Sequence, residues 1–293
     1  MSMDLSTNIA IKAIEMILVL PVAMVLDGIF RKLLAKMQNR VGPPIIQPFY
    51  DVIKLFQKGK SDSKGNQNIF FKLVPLLYFI STYGLFLFVL GIIHFPFDFI
   101  LFIYIIILSS AMYILLGLVS NSPFGAMGSM RDMLLMVSYE IVLTICIFSF
   151  VVYSHALSLN QVTGSWLFLR LPLASLCMFV VALVETRITP FDTAEAEPEI
   201  MGSVESEYSG RGLAFIEMSK YMRLLFFIVM LTRLLFNPSG SVLFILSFIL
   251  VSFILVFSEA TTARYRTDQT FRLLIMVLIV SVIEFIRLYL AVR

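Results

Sequence analysis

Charge is what this chain has least of. Asp, Glu, Lys and Arg together make up 14% of its 293 residues, against 59% hydrophobic ones, and the mean hydropathy is +0.95. That scarcity excludes an ordinary soluble domain, which carries about a quarter of its residues as charges. Cysteine and histidine are almost missing, with two of each, and none stands at the spacing of a metal or iron–sulfur site. Cys146 and Cys177 both fall in apolar runs, where a structural role is expected; His94 stands alone in a short turn and reads as an interfacial residue. The net charge is only +3, and no basic block points to nucleic acid. The alternating pattern of barrel strands is also absent, so the apolar runs are helices. Met1 to Ala10 lacks the basic start of a cleavable signal peptide, and the apolar run behind it is long enough to span a bilayer.

What is present are runs of roughly 20 apolar residues, the length of a membrane span. The expected spans are 9–30, 70–93, 99–119, 134–153, 166–184, 213–236, 240–260 and 271–290. The fold class is therefore an all-α integral membrane protein, a single polytopic domain over 1–293 with about eight transmembrane helices. Seventeen of the 22 basic residues fall on one side of this arrangement, nine of them between Arg31 and Lys72. The excess of Lys and Arg marks the cytoplasmic side, which puts both termini outside.

A second kind of helix is expected over 44–58. Gln47, Asp51, Lys54 and Lys58 share one face at helical spacing, and Ile45, Phe49, Val52, Ile53 and Phe56 the other. Such a helix lies flat in the interface, as a surface anchor or as a docking platform. The polar 61–68 stretch behind it reads as a flexible loop.

The few acids are concentrated. Seven of the 19 lie between Glu185 and Gly212: Glu185, Asp192, Glu195, Glu197, Glu199, Glu205 and Glu207. They alternate with Ala, Ile, Met and Val, and Thr189-Pro190-Phe191 reads as a packed turn, so the segment is expected to pack at a protein junction on the cytoplasmic side. Closely spaced carboxylates cannot all ionise, and a small displacement redistributes protons among them. Glu140 lies about two turns, roughly 12 Å, beyond Arg131-Asp132 inside an apolar run, where a carboxylate is costly and functional by default. Glu15 and Asp27 sit near the two ends of the first span, which Pro21 kinks. Glu217, Lys220 and Arg223 recur every three residues, spacing that allows salt bridges along one helix, as do Glu284 and Arg287; Glu259 ends the seventh span near the cytoplasmic face.

Three separated motifs together resemble one family. They are Arg31-Lys32…Gln38-x-Arg40-x-Gly42-Pro43 with Gln47-Pro48…Asp51…Lys54-Leu55; Ser120-Asn121-Ser122…Gly128…Arg131…Ser138-Tyr139-Glu140; and Glu185-Thr186…Pro190-Phe191-Asp192…Glu195-x-Glu197-x-Glu199…Glu207-Tyr208. In order, they resemble the three cytoplasmic loops of the heel subunit of respiratory complex I, which joins the redox arm to the membrane arm. The departures resemble the counterpart subunit of membrane-bound NiFe hydrogenases and formate hydrogenlyases: a short Gly42-Pro43-Pro44 run, Phe30 before Arg31-Lys32, Leu135 before Tyr139-Glu140, and Lys220 where an acid is expected. These positions surround the mouth of the family's quinone tunnel.

The resemblance implies a non-catalytic coupling subunit of an ion-translocating, ferredoxin-linked complex in the cell membrane. It implies Glu140, Glu185, Asp192, Glu195, Glu197, Glu199, Glu205, Glu207 and Glu217 as a proton relay. It implies Arg31, Lys32, Arg40, Asp51, Lys54, Arg131, Arg187 and Lys220 as docking or charge-balancing residues. No cofactor is expected in this chain; iron–sulfur clusters and a NiFe centre belong to partners. Those partners are hydrogenase-type large and small subunits, an iron–sulfur subunit and antiporter-like membrane subunits, all beside lipid. Two alternatives remain open, a quinone-reducing complex and a stand-alone cation transporter. The latter class often carries internal repeats and paired interrupted helices, and neither is visible here.

Overall fold

The computed structural model describes residues 2–58, 69–92, 98–154, 167–193, 202–236 and 240–292. Among them there is no strand. The chain runs through α1 (Ser2–Met37), α2 (Gln47–Gln57), α3 (Ile69–Val89), α4 (Asp98–Val119), α5 (Pro123–Ser154), α6 (Leu167–Arg170), α7 (Pro172–Glu185), α8 (Arg211–Leu231), α9 (Ser241–Thr261) and α10 (Thr267–Val292). Six of these are long and apolar enough to cross a membrane: α1 from Ile11, α3, α4, α5, α9 and α10 up to Leu290.

The remaining two expected spans differ for physical reasons. The run at 166–184 divides, because Pro172 has no N–H to donate and pushes Leu171 off helical geometry (φ −126°, ψ 63°). Its second part, α7, has 14 residues, about 21 Å, and is shorter than the bilayer's apolar core. Helix α8 is long enough but carries Arg211, Glu217, Lys220 and Arg223, and it continues into a π-helical turn at Thr232–Phe236. Helix α5 starts at Pro123, well before the expected 134, with proline in the first turn where its missing N–H costs nothing. The Arg131-Asp132 pair therefore lies inside a helix.

Helix α8 sits at the centre, with α1, α2 and α3 packed against it; α3 packs on α4, α4 on α5, and α5 on both α7 and α10. One large core joins these helices. A smaller one, of Phe71, Val74, Tyr78, Tyr113, Leu116, Val204, Tyr208 and Ile216, ties residues 202–210 to α3 and α4. Two contacts leave no room for a side chain. A Cβ on Gly28 of α1 would run into the Ile45 carbonyl just before α2, and one on Gly117 of α4 into Gly125 and Ser129 of α5.

At the far end, Lys12 and Arg233 donate to the carbonyls of Gly91 and Val89, satisfying groups that the end of α3 leaves without partners. Elsewhere the outer faces are apolar. Ile14, Ile17 and Val22 on α1 and Leu246, Ile249 and Phe253 on α9 are all exposed, as lipid-facing helices require.

Candidate functional site

The C-terminal halves of α4 and α7, the N-terminal half of α5 and the middle of α8 enclose a charged cluster where the surrounding residues are apolar. Glu185 ends α7 and is 1% exposed; Arg223, in the middle of α8, is 2% exposed. Arg223 Nη2 donates to Glu185 Oε2 and, at 2.6 Å, to Ser110 Oγ of α4. The Ser110 proton is shared between the Glu185 carboxylate, at 3.4 and 3.5 Å, and the Ile106 carbonyl, at 3.2 Å.

One residue past Thr186, Arg187 turns into the left-handed region (φ 53°) and points back into the bundle. Its Nη2 donates to Asp132 Oδ2 of α5 at 2.9 Å, and its guanidinium lies 3.4 Å from the centre of the Tyr113 ring. A guanidinium stacked so closely on a tyrosine face and paired with a buried carboxylate is firmly located.

Glu140 of α5 is 7% exposed and lies within the field of both Glu185 and Arg223. Both of its carboxylate oxygens lack a hydrogen bond among the described residues, although Ser110 is near enough to act on it. The cluster thus sets three carboxyl groups, Glu140, Glu185 and Asp132, against two guanidiniums, Arg223 and Arg187. Among the described residues the cluster counts one more carboxyl than guanidinium, and an uncompensated buried charge is expensive.

Next to this cluster, α1, α8, the end of α9 and the segment after α7 surround a cavity of about 350 Å³. Asp27, Arg31, Glu205, Glu217, Lys220 and Glu259 line it, together with Phe30, Leu34, Ile188, Tyr221 and Leu224. Arg31 bridges Asp27 at 2.6 Å and Asp51 of α2 at 3.3 Å, and donates to Tyr221 Oη at 3.1 Å. Lys220 meets Glu205 at 2.5 Å.

The described parts of the acidic segment are held from several sides. Arg264 pairs with Asp192 at 2.7 Å; Thr189 Oγ1 donates to the Glu259 carbonyl, and the Tyr265 amide to the Pro190 carbonyl. Tyr208 stacks on Phe71 with ring centres 4.3 Å apart and donates to the Leu116 carbonyl at 2.9 Å. Burial raises the Tyr208 phenol above its ordinary pKa, so it stays protonated and able to donate.

The sequence-predicted residues therefore separate into sets. Glu140, Glu185 and Arg187 come together in the buried cluster. Arg31, Glu205, Glu217 and Lys220 line the cavity, with Asp51 behind Arg31 and Asp192 on the segment that closes one side. Glu207 is half-buried and belongs to neither set; Glu195, Glu197, Glu199 and His94 lie outside the described residues. Lys32, Arg40 and Lys54 are exposed, Arg40 donating to Gln38, and Arg131 is half-buried. On α2 only Pro48 and Val52 are buried; Tyr50 and Ile53 are exposed.

Arg223, Asp132, Ser110, Tyr113, Asp27 and Glu259 were not among the candidates. Arg223 had a signal, since it interrupts a run of Met, Leu and Phe. Its spacing from Glu217 and Lys220 offered a same-helix ion pair instead, and the structure corrects that: its partner is Glu185, on another helix. The other such pair does form along one helix, Arg287 Nη2 lying 2.6 Å from Glu284 Oε1. Among the described residues no group of His, Cys, Asp and Glu is arranged to hold a metal ion.

Comparison with known proteins agrees with this architecture. The family model described as NADH dehydrogenase matches residues 10–289. An NADH-quinone oxidoreductase subunit of Bacillus cytotoxicus is 30% identical over 269 residues, covering 82% of this chain and 80% of its own. The same subunit of a Geobacillus species is 31% identical over 274 residues, covering 83% and 81%. Among solved structures, a chain of the membrane-bound sulfane sulfur reductase, an archaeal respiratory membrane complex, superposes with a TM-score of 0.85. It is 21% identical, and the match covers 94% of this chain and 98% of that one.

Proposed function

Because the chain belongs to the NADH dehydrogenase family of membrane subunits, we propose that it is the coupling subunit of a multi-subunit redox complex in the cell membrane. In this reading peripheral hydrogenase-type subunits, with their own iron–sulfur clusters and NiFe centre, take electrons from reduced ferredoxin. This chain turns that chemistry into movement of H⁺ or Na⁺ through itself and antiporter-like neighbours. The observation that carries the proposal is the buried set of three carboxyls and two guanidiniums directly continuous with the acidic segment.

The mechanical argument is short. Glu185 and Arg187 flank the point where α7 becomes the acidic segment, so a shift of that segment moves both relative to Arg223 and Asp132. Separating Glu185 from Arg223 leaves a bare carboxylate in a low-dielectric site, which favours taking up a proton; restoring the pair releases it. Glu140, beside them and with no hydrogen bond to its carboxylate oxygens among the described residues, is the natural group to exchange that proton. The cavity, with six ionisable residues in its wall and the acids expected on the cytoplasmic side, would supply water and protons from that face.

Glu140→Gln in the assembled complex tests this. The expected outcome is ferredoxin-driven turnover with ion translocation reduced at least tenfold; translocation unchanged per electron would remove Glu140 from the mechanism. A quinone reading draws on the cavity's size, which falls within the range of small-molecule sites. Its wall is strongly ionic, whereas a quinone tail needs apolar surface, and we favour the hydrated vestibule. Quinone retained by the purified complex and displaced by quinone-site inhibitors would reverse that choice.

A further inference from the structure

A second ionic group sits at the opposite end of α7 from Glu185. The break before Pro172 leaves the last carbonyls of α6 short of helical partners, and Arg287 Nη2 of α10 donates to that of Arg170 at 3.4 Å. The same nitrogen lies 2.6 Å from Oε1 of Glu284, a fully buried residue, while the Arg287 side chain is 55% exposed. Arg170 is exposed as well. Two arginines from different elements therefore meet, and against one carboxylate they leave the set with a net charge of +1. They meet three residues before Leu290, where the apolar run of α10 ends, which is the level of lipid headgroups. Below them the surface is apolar. Ile283 and Met276 share the Arg287 face of α10 at helical spacing and are exposed, as are Leu173 and Leu176 on α7, which packs against α10. Met276 lies 11 residues from Arg287, about 16 Å, the depth of one leaflet of a hydrocarbon core about 30 Å thick.

We propose that α7 and α10 form a binding site for one anionic phospholipid. Arg170 and Arg287 hold its phosphate diester, and an acyl chain lies over Leu173, Leu176, Ile283 and Met276. A guanidinium matches phosphate both in charge and in its forked donor geometry. Arg287 is already fixed by Glu284 and the Arg170 carbonyl, so little side-chain freedom is lost on binding. Arg170 supplies the charge that Glu284 does not cancel. A helix of a neighbouring subunit laid on this face would have to bring its own acid to the exposed arginines, whereas a phospholipid carries its phosphate at this depth and its chain through one leaflet. The site does not depend on the coupling role proposed above.

The assembled complex is reconstituted in phosphatidylcholine vesicles that carry a trace of a photoactivatable probe, either phosphatidylglycerol or phosphatidylcholine with a diazirine on its acyl chain. After illumination, the labelled peptides are mapped by mass spectrometry. The expected result is adducts on residues 169–176 and 276–287, several times more abundant from the phosphatidylglycerol probe than from the phosphatidylcholine probe. Arg170→Gln leaves the Arg287–Glu284 pair in place; it should lower phosphatidylglycerol labelling there about fivefold and leave phosphatidylcholine labelling unchanged. Equal labelling by the two probes in the wild type would mark ordinary solvating lipid and overturn the proposal. Labelling by neither, the result if another subunit covers this face, would overturn it too, as would labelling unchanged in Arg170→Gln. The wild-type comparison of the two probes decides the question even if the variant fails to assemble.

Discussion

At the scale of the residue, the account turns on Arg223. It is buried, it compensates Glu185, and it borrows Ser110 as a second acceptor. Replacing it by Leu leaves a carboxylate in the bundle without its countercharge, and the expected loss of stability is about 3–5 kcal/mol. Thermal melting of the solubilised complex measures it. The double variant Arg223→Leu/Glu185→Leu removes both charges together and should recover most of that loss, because the cost lies in the unpaired group and not in the missing attraction. Equal melting of the single and double variants would show that the two side chains do not compensate one another. Glu140 and Glu185 were legible in the sequence because a carboxylate inside or beside an apolar run stands out by itself. Arg223 also stood out, yet its partner did not: sequence spacing reports neighbours on the same helix only, and this pair is made between helices packed side by side.

At the scale of the element, the acidic segment is held by its hydrophobic residues. Val204, Phe191 and Tyr208 are buried, while Asp192 pairs with Arg264 and Glu205 with Lys220 at the cavity wall. Tyr208→Phe keeps the stacking on Phe71 and gives up one hydrogen bond, an expected cost of about 1 kcal/mol. Tyr208→Ala loses the ring as well, and residues 202–210 should become markedly more susceptible to limited proteolysis; unchanged digestion would mean that this anchor is dispensable. Where α1 meets the turn before α2, Gly28→Val drives a side chain into the Ile45 carbonyl, and an expected loss of about 1–3 kcal/mol should lower the yield of assembled complex. The apolar runs located most of the helices, because length and composition suffice for that. They misjudged the start of α5 and the continuity of 166–184, where the outcome depends on single prolines, and neither effect is visible to a window of about 20 residues.

At the scale of the whole molecule, the chain is an apolar bundle in which Asp132, Glu140, Glu185 and Arg223 share one buried cluster, while Asp98 at the start of α4 and Glu284 on α10 are buried apart from it. Apolar rows on α1 and α9 form outer faces of this bundle. That the acids form a packed unit was expected from their interleaving with Ala, Val and Met, and the described residues on both sides of 194–201 are indeed held by named contacts. Which acids meet which cations was not readable, since it depends on how α4, α5, α7 and α8 pack. The most direct test of the account is a redox-difference infrared spectrum of the assembled complex, recorded on addition of reduced ferredoxin, for wild type and Glu140→Gln. A change in the band of a protonated carboxylic acid that is present in the wild type and missing from Glu140→Gln is the predicted result. Identical difference spectra from the two proteins would contradict it.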